Sequence, residues 1–515
     1  MNPASQRSES DDVNVTISTG KLAGATGSDG VTMFYGIPFA EPPVGERQFA
    51  APEPRSVWRD VRDARRPGPT PQRRPFSEFS TVPEPSIAGD DTLLVNVATT
   101  APGDLEARMP VLVWIHGGGY FAGSPSSPWY RGDAFARDGI VVVSISYRLG
   151  VVGFGDVPGV PANRGVRDWI AALEWVQREI HVFGGDPTRV TIAGQSAGGG
   201  AVMTLLGMES QQHLFAQAIA QSPAIGLIEP DTARERGRRV RQIGGFDAER
   251  LRRGEVAEAA ILDAQKAAMD AEADLASQID AAFRDDLALG TAFGPVRDGE
   301  LLAEQTVESL RRGVGGSKPL LIGTTHDEFV MTAWGAQDLL GSADAVDFLV
   351  AHGLAPRSAR DYAAANELTA AHEALGRMTT DTTFRRPVRE VAGIARPGGT
   401  WLYDFRWSSP AFGIAMHCID LPFMWGVADE ESARALVGDA PPADLMRTMH
   451  DAWVAFIRTG DPGWPRNRSA QPLGMVFDVE SRVAPDPYAQ ARIPAPRREA
   501  RLSAAPDSEG TEALA

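Results

Sequence analysis

Residues 190–202 read Val-Thr-Ile-Ala-Gly-Gln-Ser-Ala-Gly-Gly-Gly-Ala-Val, and this stretch decides the fold. The residues before Gly194 are β-branched or apolar, which predicts a buried strand. After Ser196, small residues and then apolar residues at helical spacing predict a helix. Glycines on both sides of the serine permit a sharp turn in which side chains would clash with neighbouring backbone. The sequence therefore predicts that Ser196 stands on a strained strand-to-helix turn, with its hydroxyl above a sheet.

Other segments of the chain extend this strand-helix pattern. Further buried strands are predicted at 92–97, 111–116, 140–147, 216–220, 319–324 and 400–405, and a helix at 164–180. Residues 13–54 are short β-type runs broken by glycine and proline, which predicts an antiparallel opening. Buried strands alternating with helices predict an α/β protein with a mostly parallel central sheet flanked by helices. With a G-x-S-x-G turn between strand and helix, the pattern is that of the α/β-hydrolase fold.

The predicted domain organisation is one large unit between two tails. We predict a disordered N-terminal tail over residues 1–12, a single α/β-hydrolase domain over 13–483 and a loosely structured C-terminal tail over 484–515. The first tail is polar, and the second is rich in proline, arginine, alanine and serine. Two helical, charged segments, at about 225–290 and 335–398, are predicted to be insertions over the active-site edge of the sheet.

Composition limits the classes of function. The chain has 515 residues, of which 43% are hydrophobic and 23% charged, as in an ordinary soluble enzyme. Its net charge is −17 and it has no basic stripe with interleaved aromatics, which argues against nucleic acid as a partner. Its apolar runs are too short to span a membrane. Cys418 is the only cysteine and no signal peptide is visible, so we expect a cytoplasmic enzyme; the oligomeric state is not indicated.

A nucleophilic serine needs a base within hydrogen-bond reach and an acid that orients the base. In this fold the acid and then the histidine follow the serine along the chain. Asp327 and Glu328 follow the predicted strand 319–324, and spacing does not choose between them. His417 lies in a loop after strand 400–405, where sites of open α/β sheets form, and position alone leaves a catalytic and a structural role equally open. Surface, cap or neighbouring positions are predicted for the other histidines beyond Ser196, which are His213, His326, His352, His372 and His450.

Negative charge that develops on a substrate oxygen also needs donors. The predicted strand at 111–115 runs into His116-Gly117-Gly118-Gly119-Tyr120, a pattern found in lipases and esterases. Glycines let backbone amides approach a substrate oxygen, and each such donor contributes roughly 3 kcal/mol to transition-state stabilisation. Taken alone, the motif is as well explained by a plain glycine turn. Together with the turn at Ser196, it favours an oxyanion-binding cradle.

With these motifs in place, the chain resembles the type-B carboxylesterase family, which includes the cholinesterases and bacterial p-nitrobenzyl esterases. The resemblance covers about residues 13–480. The motifs that carry it, in the family's order, are Phe-Tyr-Gly-Ile-Pro-Phe-Ala-Glu-Pro-Pro-Val-Gly at 34–45, His-Gly-Gly-Gly at 116–119, Ser-Tyr-Arg-Leu-Gly at 146–150, Phe-Gly-Gly-Asp-Pro at 183–187, Gly-Gln-Ser-Ala-Gly at 194–198, Gly-Thr-Thr-His-Asp-Glu at 323–328 and the segment around His417.

The resemblance implies roles for particular residues. It implies Ser196 as nucleophile, Glu328 rather than Asp327 as the acid, and His417 as the base of a carboxylic ester hydrolase that works through an acyl-enzyme. The amides implied to form the oxyanion hole are those of Gly118, Gly119 and Ala197. The expected partner is a small-molecule ester, and no metal or organic cofactor is expected. A structural ion pair between Arg148 and Asp168 is also implied.

The chain departs from the family pattern at several positions. Gln195 stands where the family usually has glutamate, which removes a negative charge beside the nucleophile. Phe329 stands where a glycine usually follows the acid, so this loop is expected to differ. Thr70 and Thr92 replace two cysteines that commonly pair, in keeping with a reducing compartment.

Substrate preference and competing functions stay open at this stage. Several aromatic residues near the catalytic segments predict either an aromatic gorge for uncharged small, aryl or alkyl esters or simply core packing: Tyr120, Phe121, Trp129, Trp407, Phe412, Phe423 and Trp425. A carbamate or amide hydrolase with the same triad is the main alternative. A catalytically silent binding protein on the same fold, as in neuroligin-like relatives, would be marked by loss of the serine or histidine, and both are present.

Overall fold

One large sheet organises the part of the chain that the structure describes. The computed structural model describes residues 11–74, 81–284 and 291–492. The strands are β1 (Asp11–Ile17), β2 (Gly20–Thr26), β3 (Thr32–Pro38), β4 (Arg62–Asp63), β5 (Leu94–Thr99), β6 (Met109–Ile115), β7 (Val141–Ile145), β8 (Gly185–Gln195), β9 (Gln217–Gln221), β10 (Leu320–Thr325), β11 (Thr400–Phe405), β12 (Leu473–Phe477) and β13 (Arg482–Pro485).

The sheet is parallel at its centre and antiparallel at both ends. Its strand order is β1-β2-β3-β5-β7-β6-β8-β9-β10-β11-β12-β13, and the short β4 pairs with β2. From β7 through β6, β8, β9, β10 and β11 to β12, neighbouring strands are parallel. The pairs β1-β2, β2-β3, β3-β5, β5-β7 and β12-β13 are antiparallel, and the short β4 runs parallel to β2. Parallel neighbours need long crossover connections, which bring helices onto both faces. The predicted antiparallel opening and mostly parallel centre are confirmed.

The helices occupy the crossovers and two longer excursions. They are α1 (Asp133–Arg137), α2 (Gly150–Phe154), α3 (Arg164–Glu179), α4 (Ala197–Gly207), α5 (Pro230–Gly244), α6 (Ala248–Arg252), α7 (Glu258–Asp270), α8 (Leu275–Ala282), α9 (Thr306–Arg311), α10 (Gln337–Leu340), α11 (Ala345–Ala351), α12 (Pro356–Ala365), α13 (Ala371–Thr380), α14 (Arg386–Ala392), α15 (Leu421–Met424), α16 (Glu431–Val437) and α17 (Ala443–Thr459). No helix in the described ranges combines the length and apolarity needed to cross a membrane.

Local sequence explains the elements nearest the site. Every residue of β10 and β11 is buried, as expected for central strands covered on both faces. Helix α3 buries Val166, Trp169 and Leu173 on one face, and Gly184, in the left-handed conformation, ends the short 3₁₀ turn that follows it. The excursions hold α5 to α8 and α10 to α14, in the regions predicted to be helical, although residues 285–290 lie outside the described ranges.

Three predicted boundaries are wrong. Strand β8 starts at Gly185 rather than near residue 190, with a register shift against β6. The tail predicted over 1–12 is too long, because β1 already begins at Asp11 and pairs with β2. The tail predicted from residue 484 starts too early, because β13 extends to Pro485 and Tyr488 is buried. Residues 1–10 and 493–515 lie outside the described ranges.

Candidate active site

Ser196 occupies the strained turn between β8 and α4. Its φ of 60° and ψ of −123° are unusual for a residue with a side chain. A Cβ on Gly198 would lie 2.0 Å from the carbonyl oxygen of Ile115, and a Cβ on Gly194 would lie 2.4 Å from that of Gly198. The glycines are therefore required by close backbone approach, as the sequence predicts.

His417 and Glu328 meet beside this turn. The Nδ1 atom of His417 is in short hydrogen-bonding contact with Oε2 of Glu328, whose side chain is fully buried. The other oxygen of Glu328 accepts a hydrogen bond of 2.9 Å from the amide of Thr325, and the amide of His417 donates to the carbonyl of Glu328 at 3.0 Å. Both the carboxylate and the imidazole are thus fixed by side-chain and backbone contacts.

Asp327, the other acid that spacing allowed, points elsewhere. It accepts hydrogen bonds from Arg377 at 2.6 Å and from the amide of Ala415 at 2.9 Å. Its own amide donates to the carbonyl of Ala415 at 2.9 Å. Asp327 therefore ties the loop that precedes His417 to the loop that carries Glu328.

The surroundings of His417 favour its charged form. Burial of the imidazole opposes protonation, but the thiol of Cys418 and the carboxylate of Glu328 outweigh it and hold the pKa of His417 well above its ordinary value. Behind them, Asp420 accepts hydrogen bonds from Gln221 and Tyr403. Burial and the charge of Glu328 raise the pKa of Asp420 to about 6.

The Nε2 atom of His417 faces Gln195. The side-chain nitrogen of Gln195 lies 3.1 Å from it. Ser196 lines the same cavity, but among the described residues its hydroxyl is not hydrogen-bonded to the ring. The rings of Phe329 and Phe384 each pack 4.9 Å from the imidazole centroid. Phe384 lies in a π-helical turn, Asp381–Arg385, for which the sequence carried no signal of function.

The glycine motif after β6 forms a backbone cradle. Gly118 and Gly119 have φ values of 111° and 59°, and a Cβ on Gly118 would lie 2.3 Å from the carbonyl of Ala122. Ala197 is the first residue of α4, so its amide has no partner within the helix. Among the described residues, the amides of Gly118, Gly119 and Ala197 donate to no hydrogen bond, and all three residues line the cavity.

The cavity that contains these groups has a volume of about 480 Å³. Of the seven aromatic residues considered from the sequence, only Phe121 lines it; the others pack in or against the core. Its apolar wall instead includes Tyr130, Phe329 and Phe384, together with three methionines: Met269, Met331 and Met416. Within the described ranges, no cluster of three or more His, Cys, Asp or Glu residues is suited to a metal ion.

The implied ion pair between Arg148 and Asp168 is present and buried. The guanidinium donates to the carboxylate at 2.7 and 2.9 Å, and their side chains are 2% and 0% exposed. Thr70, at a position where the resemblance implies a cysteine, closes the early loop by hydrogen bonds: its hydroxyl accepts from the amide of Ile87, and its amide donates to the Ile87 carbonyl.

Known proteins share this architecture over nearly the whole chain. A profile of the carboxylesterase family matches residues 11–474. Para-nitrobenzyl esterase from Bacillus subtilis is 33% identical, over 93% of this chain and 97% of that protein. Phenmedipham hydrolase from Pseudarthrobacter oxydans is also 33% identical, over 91% of this chain and 95% of that protein.

Solved structures agree with the sequence matches. Carboxylesterase EST55 of Geobacillus stearothermophilus superposes with a TM-score of 0.80 at 31% identity, covering 93% of this chain and 99% of that one. A PNB esterase structure gives a TM-score of 0.78 at 32% identity, covering 93% of this chain and 98% of that one. These matches confirm the predicted α/β-hydrolase fold. The chain belongs to the carboxylesterase family and is a carboxylic ester hydrolase.

Proposed function

We propose that Ser196 attacks the ester carbonyl, that His417 accepts its proton, and that Glu328 holds His417 in the required tautomer. One observation carries this proposal: three distant segments of the chain bring these side chains to a single cavity, and Glu328 contacts Nδ1 of His417. With Nδ1 protonated and facing the carboxylate, Nε2 carries the lone pair with which the ring can act as the base.

The reaction then proceeds through an acyl-enzyme. The Ser196 oxygen bonds to the carbonyl carbon while His417 takes the hydroxyl proton, and the carbonyl oxygen becomes an oxyanion. The unpaired amides of Gly118, Gly119 and Ala197 donate hydrogen bonds to this oxygen. His417 returns the proton to the leaving alcohol as the ester C–O bond breaks. A water molecule repeats the sequence and releases the carboxylic acid and free Ser196.

The cavity favours small uncharged aryl or alkyl esters. Its apolar wall suits hydrocarbon groups, and no lysine or arginine in the described residues lines it. Its acidic residues are already engaged: Glu328 with His417, and Glu84 in a 3.2 Å ion pair with Arg73. A charged substrate would therefore lose its hydration on entering the cavity and find no unpaired group of opposite charge among the described residues there, so we expect it to bind poorly.

The test is a panel of p-nitrophenyl esters of graded acyl length, with matched aryl carbamates and anilides. We expect esters to be turned over fastest, and Ser196→Ala to lower kcat by about 10⁴-fold or more with an unchanged circular dichroism spectrum. Faster turnover of carbamates or anilides would favour the alternative hydrolase. Activity retained by pure Ser196→Ala protein would refute the assigned nucleophile.

We also propose that the protein works in the cytoplasm. Its single cysteine, Cys418, is free and buried, and hydrogen bonds of Thr70 close the early loop without a disulfide. Such a chain has no need of an oxidising compartment. Fractionation of the source cells should recover the esterase with cytoplasmic markers, and recovery outside the cytoplasm would contradict this.

A further inference from the structure

The two ring nitrogens of His417 face different residues. Glu328 contacts Nδ1, and the side-chain nitrogen of Gln195 lies 3.1 Å from Nε2. Phe329 and Phe384 pack against the ring and fix its orientation without adding charge. Two departures from the family pattern, Gln195 and Phe329, therefore touch the same imidazole.

An amide nitrogen can only donate hydrogen bonds, which determines the state of the ring that it faces. With the Gln195 nitrogen toward it, Nε2 must be an unprotonated acceptor, so the ring proton lies on Nδ1 toward Glu328. This is the tautomer that the proposed reaction needs. A hydrogen bond to the neutral form of an acid–base group also opposes its ionisation.

The other groups that face the imidazole act in the opposite direction. Glu328 is in contact with the ring, the Cys418 thiol is adjacent to it, and the buried carboxyl of Asp420 interacts with it through charge. All three favour the imidazolium, which cannot accept the serine proton. Burial of the ring opposes them, and Gln195 is the hydrogen-bonding contact that acts in the same direction as burial.

We propose that Gln195 is a positioning residue, which keeps Nε2 of His417 unprotonated in the resting enzyme and yields it to the Ser196 hydroxyl when an ester binds. The role rests on the proposed function of His417 as the base. It assigns a purpose to a glutamine that stands where the family usually has glutamate, since a carboxylate at this position would stabilise the imidazolium instead.

Three variants test the role. Gln195→Met keeps the length of the side chain but removes the donor, and Gln195→Glu replaces the donor with a charge. The matched control is Gln242→Met, at an exposed glutamine of α5. If Gln195→Met is not recovered folded, Gln195→Asn takes its place. Its side chain is one methylene shorter, so its amide lies farther from Nε2.

Two measurements are made on each variant. The first is the pH titration of the downfield proton NMR signal of His417 Nδ1–H, identified by its absence in His417→Ala. The second is the pH dependence of kcat/KM for p-nitrophenyl acetate. The NMR midpoint is measured without substrate, so it tests the contact between Gln195 and His417 whatever the reaction is. Absence of ester turnover in the wild-type protein would refute only the proposed function.

We expect Gln195→Met to move both midpoints upward by about 0.5 pH unit or more, which corresponds to one neutral hydrogen bond, and Gln195→Glu to move them further. Gln242→Met should match the wild type. Midpoints of Gln195→Met that stay in place, with only the plateau lowered, would indicate a merely structural glutamine and overturn the proposal. A downward shift would overturn it as well, because it would mean that the amide oxygen faces a protonated Nε2.

Discussion

Removing the carboxylate of Asp168 should destabilise the protein strongly, although Asp168 lies outside the catalytic cavity. In the wild type it accepts three hydrogen bonds from Arg148: 3.0 Å from the backbone amide, 2.9 Å from Nε and 2.7 Å from Nη2. Both side chains are almost wholly buried. Asp168→Asn therefore leaves a buried guanidinium without its counter-charge.

The loss of stability in Asp168→Asn depends on the hydrogen bonds that Arg148 keeps. Breaking a buried ion pair from one side costs about 3–5 kcal/mol. Asparagine keeps one acceptor oxygen, and Arg148 still donates to the carbonyl of Ala50 at 2.6 Å and to that of Gln48 at 3.2 Å. Because of these remaining hydrogen bonds, we expect a cost near the lower end of this range, so that the free energy of unfolding of Asp168→Asn is about 3 kcal/mol lower than that of the wild type.

Equilibrium unfolding in urea, followed by tryptophan fluorescence, measures the difference. The control is Asp361→Asn, which removes an exposed i,i+4 partner of Arg357, with side chains 90% and 75% exposed, and should cost less than about 1 kcal/mol. If the two variants lose stability equally, the reasoning from burial is refuted.

Three further perturbations bear on the site. Glu328→Gln removes a charge that raises the pKa of His417. In the proposed mechanism the neutral imidazole is the base, so the acid limb of the kcat/KM profile should move to lower pH while the plateau falls about 10³–10⁴-fold. An acid limb that stays in place would contradict the assigned cause of the raised pKa. Gly198→Ala places a Cβ 2.0 Å from the Ile115 carbonyl, so we expect little folded protein that reacts with a fluorophosphonate probe; normal labelling would argue against the close approach. Phe329→Ala opens the cavity beside His417, so kcat/KM for bulky esters should rise relative to acetate, and a constant ratio across the ester panel would rule out a role for this ring in substrate size.

Signals that are local in sequence predicted the core of this fold well. The glycines around Ser196 and the all-buried strands β10 and β11 carry their reasons within a few residues, because turn geometry and hydrophobic runs are properties of short segments. Local signals did not predict that Glu328 would contact His417. Spacing left Asp327 equally eligible, and only the resemblance to a family distinguished the two acids.

Contacts between distant segments were beyond sequence reasoning. Nothing near Phe384 indicates that its ring packs on His417, since its neighbours form an ordinary-looking helical stretch. The aromatic residues beside the catalytic motifs mostly joined the core, because proximity in sequence does not fix which face of an element meets the cavity. Gln195 could be recognised as a missing charge, but its position against Nε2 requires the fold.

The burial of Tyr488 links the end of the described chain to the strands that precede His417 and Glu328. Its hydroxyl donates to the carbonyl of Tyr403 in β11 and contacts Thr324 in β10, while the guanidinium of Arg385 lies 4.6 Å from the centre of its ring. These are the strands whose following loops carry His417 and Glu328. A protease cut between Pro485 and Tyr488 would release this anchor and should lower esterase activity, although it removes none of the proposed catalytic residues. Residual esterase activity after limited digestion therefore reports whether Tyr488 is still in place.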